Sequence, residues 1–277
     1  MSGERRYRDA LARLERLVAD DPGREAEAYQ FRGDLRLLLG DPAGAIAAYE
    51  PIEERFKHDE YVASALAHAG RDAEAAALLS SALADFPHDG KISRLGKLIV
   101  DATLLALETG DASLVRRAAA AMDGQDLARV EAPVRSAVAF ARGARDLLDG
   151  LPLRADAFPL GEASPMWTLL AVRGHDDPEA LARVRAATAP EAMHFGVLPS
   201  HIYPALWLER ARLEATLGGT DAALAWLDRV IRPRHFDASR GAVIGPALAL
   251  EARVLDAAGR GGEAEAVRRE LARLHAP

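Results

Sequence analysis

Apolar residues recur along most of the chain at the three- and four-residue spacing of amphipathic helices. Leu11, Leu14 and Leu17 follow this spacing near the start of the chain, and Val134 and Val138 follow it in the middle. Glycine or proline interrupts the pattern at short intervals, which is typical of turns between helices. We therefore predict an all-α protein of about thirteen helices.

A characteristic arrangement of aromatic and small residues lies between Tyr29 and Tyr49. Gly33 follows the first tyrosine by four residues, Leu39-Gly40-Asp41 marks a turn, and Ala45 precedes the second tyrosine by four residues. Small residues at 33 and 45 let two helices approach closely, and the tyrosines fill the space beside them. Glycine at 40 suits the left-handed conformation that ends a helix.

The same arrangement returns near the end of the chain. Its members there are Trp207, Ala211, Leu217-Gly218, Ala223 and Leu227, and then Leu248, Ala252, Leu255, Gly259 and Ala264. These units resemble the tetratricopeptide repeat (TPR) superfamily, in particular helical-repeat proteins of bacterial type. The resemblance covers roughly residues 4–122 and 201–274. It implies a right-handed superhelix of antiparallel helix pairs, an α-solenoid whose inner surface is lined by the first helix of each pair.

Two stretches rich in proline and glycine interrupt the helical pattern. They cover residues 151–165 and 189–204, and both are predicted to be irregular connections. Ser164-Pro165 and Asp177-Pro178 have the composition of helix starts, with a capping side chain followed by proline. The chain is accordingly either one domain over 1–277 or two segments, 1–150 and 163–277, joined by the first connection.

Composition excludes several classes of function. The chain has no cysteine, so disulfides, thiolate catalysis and cysteine-based zinc sites are excluded. A net charge of −7 disfavours nucleic acid as the main partner and suits a partner with some basic surface. We find no apolar signal segment and no run long enough to span a membrane, so the expected location is the cytoplasm.

Arg212 and Arg253 are the leading candidates for a binding site. Each directly follows the small residue of its unit, so the two occupy equivalent positions in the first helices of the last two units. The resemblance implies that this position faces the concave groove, where two guanidinium groups could grip a carboxylate or a phosphate. The alternative is that they pair with Glu214 and Glu251 or face water.

Trp167 and Tyr203 are candidates for a peptide-binding groove, although a tryptophan on a short helix is more often a core residue. His201 lies beside Tyr203 in the second proline-rich stretch, which also contains His194 and Glu191. A metal or general-base site is one interpretation of these histidines, and loop or capping residues are the other.

The most basic short stretch covers residues 232–240 and could contact an anion or RNA. Its first arginines could equally sit at a helix C-terminus, where the helix dipole favours them. The carboxylate clamp of the TPR family is not supported, because Gln30 and Asp34 stand at the positions where it needs lysine and asparagine.

Catalytic motifs such as Gly-x-Ser-x-Gly and His-Glu-x-x-His are absent from the sequence. We therefore expect a non-catalytic adaptor or scaffold that binds a protein or peptide in a concave helical groove, with no cofactor and no bound metal. The alternatives are a ligand-sensing regulatory module that binds a small anion, an accessory subunit of an enzyme encoded nearby, or an enzyme that uses the loop from His194 to His201.

Overall fold

A computed structural model describes residues 3–87, 92–158, 160–189, 197–232 and 241–275. Side chains are described in these ranges except at 3–4, 26–27, 92–93, 162 and 197–201. The protein is all-α: fourteen α-helices and four short 3₁₀ turns form the regular structure of the described residues. This is one α-helix more than the sequence pattern predicts.

The helices follow one another with short connections. They are α1 (Gly3–Asp20), α2 (Glu25–Leu38), α3 (Pro42–Tyr49), α4 (Arg55–His68), α5 (Asp72–Asp85), α6 (Ile92–Thr109), α7 (Ala112–Ala120), α8 (Ala132–Leu148), α9 (Pro165–Val172), α10 (Pro178–Ala187), α11 (Val197–Thr216), α12 (Thr220–Ile231), α13 (Gly241–Ala257) and α14 (Gly261–Leu274).

Capping side chains start several helices where the sequence predicts them. Ser164 Oγ accepts a hydrogen bond from the Trp167 N–H at 3.5 Å, and Asp177 Oδ1 accepts one from the Ala180 N–H at 2.9 Å. Each cap is followed by a proline at the first helical position, where its missing N–H costs nothing. Gly40, with φ of 70°, ends α2 in the predicted left-handed conformation.

Consecutive helices pack as pairs, and the first TPR-like unit shows why its small residues matter. A Cβ on Gly33 would lie 2.1 Å from the ring of Tyr49, so only glycine lets this ring cross α2. Tyr49 is fully buried, and its hydroxyl donates a hydrogen bond of 2.7 Å to the buried Asp34. Burial, together with the negative charge of Asp34, raises the pKa of Tyr49.

The middle of the chain departs from the regular pairing. α8 packs on both α6 and α7, in the place of the next first helix, and two 3₁₀ turns follow it where a second helix would be expected. The prediction of an irregular connection up to residue 204 is wrong, because α11 begins at Val197 and contains Pro204. A proline inside a helix removes one backbone hydrogen bond, and here the surrounding helices keep α11 intact.

The first helices of the two ends of the chain pack directly against each other. α13 contacts α4 and α6, and α11 contacts α6 and α8. As a result, every residue of α4 from Asp59 to His68 is buried. The inner surface that the resemblance implies to be an open groove is therefore filled, in this part of the molecule, by the chain's own helices.

This closure depends on a close contact between backbones. A Cβ on Gly241, at the start of α13, would lie 2.0 Å from the carbonyl oxygen of Ser64 in α4. The last turn of α14 completes the closure, since Arg273 reaches Gly40 and the ring of His275 lies against Gly70. One buried apolar cluster accordingly contains residues from both halves of the chain, from Leu37 to Val254.

His68 is sealed inside this junction. It lines a cavity of about 40 Å³ between α2, α4, α13 and α14, together with Glu270 of α14. Burial, and secondarily the nearby His275, lower the pKa of His68 to about 4. The imidazole is therefore neutral when the protein is folded at neutral pH.

We predict that Gly241→Ala lowers the free energy of unfolding by about 2 kcal/mol or more, because the new methyl group would force α13 away from α4. Urea denaturation checks this. Gly262→Ala is the matched control: it adds the same methyl group to α14, where nothing lies within 4 Å. The control should be neutral or more stable by up to about 1 kcal/mol, since alanine favours helices. Equal stability of the two variants would contradict the closure.

We predict a pH-dependent contribution from His68. Its folded-state pKa lies below the ordinary value of 6.5. The unfolded chain therefore binds the proton first, and stability is lost as the pH falls from about 6.5 towards 4. Between pH 7 and pH 5 the wild type should lose on the order of 2 kcal/mol more than His68→Gln. Urea denaturation at both pH values measures this difference. Replacing the exposed His175 by glutamine should leave the wild-type loss unchanged.

Candidate functional site

Arg212 and Arg253 line one groove between the C-terminal halves of α11 and α13. Both side chains reach it, as the equivalence of the two positions in the repeat predicts. We call it the arginine groove, and its volume is about 410 Å³. It is lined by Asp176, Arg212, Ala215, Thr216, Thr220, Leu250, Arg253, Val254 and Ala257. Leu250 and Val254 are buried and form its apolar floor.

Arg212 is fully engaged by neighbouring groups. Its Nε donates to Glu209 Oε2 at 2.7 Å, and its Nη1 donates to Asp176. Its Nη2 donates to the His175 carbonyl oxygen at 2.9 Å. Burial alone would lower the pKa of Arg212, but Glu209 and Asp176 outweigh it and raise the pKa. Arg212 therefore joins α11 to the turn between α9 and α10.

The ion pair of Arg212 continues into the interior as a chain of alternating charges. Arg173 Nη1 lies 3.6 Å from Glu209 Oε1 and donates to Glu108 Oε1 at 2.9 Å. Burial raises the pKa of Glu108, and the charge of Arg173 opposes this. These residues connect α6, α9 and α11, so we assign them to the stability of the fold.

Arg253 differs from Arg212. Its side chain is exposed. Among the described residues no carboxylate and no hydrogen-bond acceptor pairs with it. Glu251, the alternative partner that the sequence suggested, pairs with Arg232 at 3.1 Å, and Glu214 pairs with Arg185 at 2.6 Å. The guanidinium of Arg253 is thus available to a ligand in the arginine groove.

The aromatic candidates do not form a surface groove. Trp167 is 7% exposed and Tyr203 is 5% exposed, so the interpretation of Trp167 as a surface residue is wrong. Trp167 lies in the core on α9, with Arg183 4.8 Å from its ring centroid. The Tyr203 ring lies 6.4 Å from that of Trp207. Both helices are enclosed by neighbours, which the short apolar run around Trp167 already favoured.

The histidine candidates cannot be placed as a site. The backbone of His201 belongs to α11, but its side chain lies outside the described residues, as do Glu191 and His194. The basic stretch beyond Arg232 also lies outside them. Within the ranges that the structure describes, no group of three histidine or acidic side chains is arranged to hold a metal ion.

Sequence reasoning missed a cluster of arginines around Trp226. Arg210 and Arg229 lie 4.1 and 4.3 Å from the centroid of this ring. Arg210 also donates to Thr188 Oγ1 at 2.7 Å. The spacing of Arg210 and Glu214 on one helix face could have indicated part of this cluster. The contact with α12 could not have been foreseen, because it joins separate helices.

Comparison of the chain with protein-family models and with curated protein sequences finds no match. The TPR assignment therefore stays a prediction that depends on the repeat pattern. Among the helices in the described part of the chain, none combines the length and the apolar character needed to cross a bilayer.

We predict opposite roles for the two arginines in stability. Arg212→Ala should lower the free energy of unfolding by about 1–3 kcal/mol, because it leaves the buried Glu209 with one weaker partner and frees two backbone carbonyls. Arg253→Ala should change it by less than about 0.5 kcal/mol, because it removes no contact within the fold. Urea denaturation measures both. The same midpoint for the two variants would contradict this assignment.

Proposed function

We propose that the protein is a non-catalytic binding module of the TPR kind that holds a peptide segment of a partner protein in the arginine groove. The observation that carries this proposal is the exposed guanidinium of Arg253 above the apolar floor of Leu250 and Val254. A peptide with an acidic side chain next to aliphatic residues matches both features. A guanidinium can form two parallel hydrogen bonds to one carboxylate.

The charge balance inside the groove supports an acidic ligand. Asp176 and Glu209 neutralise Arg212 within the fold, which leaves Arg253 as the uncompensated charge among the residues that line the groove. The closed packing of α11 and α13 supports peptide binding in another way. Because both helices are anchored in the core, the groove is held in shape before the ligand arrives, and less ordering opposes binding.

A small anion is the second candidate ligand, because the same uncompensated guanidinium would attract it. This corresponds to a ligand-sensing role in place of an adaptor role. The two differ in their use of the apolar floor: a peptide contacts Leu250 and Val254, whereas an inorganic anion needs only Arg253. Binding measurements with both kinds of ligand distinguish them.

We predict that selection of random peptides displayed on phage enriches sequences in which Asp or Glu neighbours aliphatic residues. A selected peptide, synthesised and titrated by calorimetry, should bind Arg253→Ala at least tenfold more weakly than wild type, since a charge-assisted pair is worth about 1.5–3 kcal/mol. Arg269→Ala removes an exposed arginine from α14 and serves as the matched control.

The control should bind the peptide like the wild type. Failure to enrich any peptide, or equal binding by Arg253→Ala, would contradict the peptide-binding proposal. Titration with inorganic phosphate is the second arm of the experiment. Phosphate binding that Arg253→Ala abolishes, without any peptide binding, would favour the ligand-sensing role.

A further inference from the structure

The first helix pair carries large apolar side chains that the described part of the chain leaves uncovered. Leu17 of α1 is 53% exposed and Phe31 of α2 is 57% exposed. No side chain described in α1 is buried, and the main contact of this helix is with α2. Exposed apolar side chains of this size next to each other mark an interaction surface.

Leu17 and Phe31 lie on the same edge of this helix pair. The opposite edge is marked by Arg32, which donates to both carboxylate oxygens of Glu15 at 2.8 and 2.9 Å. Successive residues of a helix are rotated by about 100°. Leu17 is therefore turned about 200° from Glu15, and Phe31 is turned about 100° from Arg32. In two antiparallel helices, these rotations bring both side chains to the edge away from the ion pair.

Opposite charges stand on either side of Leu17 along α1. Arg13 lies about one turn before it and Asp20 lies about one turn after it. Both are exposed and belong to the same side of the helix. Neither forms an ion pair or a hydrogen bond with another described residue. The surface thus has a cation, an apolar centre and an anion in a row.

We propose that this edge of α1 and α2 binds a second copy of the chain about a twofold axis that passes near Leu17. A twofold axis brings the same surface of both copies together, so the surface must be complementary to itself. With the two α1 helices antiparallel, Arg13 of each copy meets Asp20 of the other, and Leu17 and Phe31 of both copies form the apolar centre. The row of charges described above has this self-complementarity.

Sedimentation velocity over a range of concentrations tests the proposal. The wild type should sediment as a dimer that dissociates on dilution, and Leu17→Glu should sediment as a monomer. Leu160→Glu is the matched control, because Leu160 is 60% exposed outside this surface, and it should remain dimeric. Circular dichroism verifies that each variant is folded. A wild type that is monomeric at every concentration would overturn the proposal, as would a dimer that survives Leu17→Glu.

Exchange of charges tests the orientation of the two helices. Arg13→Asp and Asp20→Arg should each weaken the dimer at least tenfold, because each places like charges opposite one another twice. An equimolar mixture of the two variants should form a heterodimer, because both ion pairs are then restored with reversed sign. A mixture that stays monomeric would exclude the antiparallel arrangement, and so would a dimer that is insensitive to both single changes.

Discussion

The close packing of α13 on α4 is the contact on which the rest of the structure depends. Gly241 brings the backbone of α13 against the Ser64 carbonyl oxygen, an approach that any side chain at 241 would prevent. Through this contact the last helix pairs meet the first ones, and α14 reaches the turns at Gly40 and Gly70. A helical repeat that could present a continuous open inner surface is closed on itself in this region.

Closure explains the unusual number of charged side chains in the interior. The first helices of repeat pairs carry polar residues on the side that usually faces solvent, and here that side faces other helices. Glu60 is 1% exposed and lies 2.5 Å from Arg94, while Glu209 is held between Arg173 and Arg212. Buried charges need partners of opposite sign, and each of these glutamates has one.

Closure also determines where a binding groove remains. The first half of α13 crosses α4, so its side chains are core residues. The second half extends beyond the crossing, and Arg253 lies there beside α11. Arg212 sits at the equivalent position of the preceding pair but points at the turn after α9, which supplies Asp176 and a backbone carbonyl. Two positions that are equivalent in the repeat thus have different surroundings and different roles.

Local features of the chain were predictable because they involve residues close in sequence. The caps at Ser164 and Asp177, the left-handed Gly40 and the contact of Gly33 with Tyr49 all lie within one helix or one helix pair. The common groove of Arg212 and Arg253 also followed from the repeat. The burial of Trp167 and the helical course of Pro204 depend on helices packed around them, so periodicity alone led to the wrong interpretation of both.

The amino-acid sequence by itself determined the helical class, the turns, and the first-helix positions of the two arginines, because apolar spacing and capping act over a few residues. Tertiary structure alone decided that the inner surface is closed, that Arg212 is consumed by the fold, and that Arg253 stays open. These outcomes depend on contacts between residues more than a hundred positions apart, such as Ser64 and Gly241. No local pattern carries information about such contacts, since a glycine at a helix start has the same appearance whether or not another backbone lies against it.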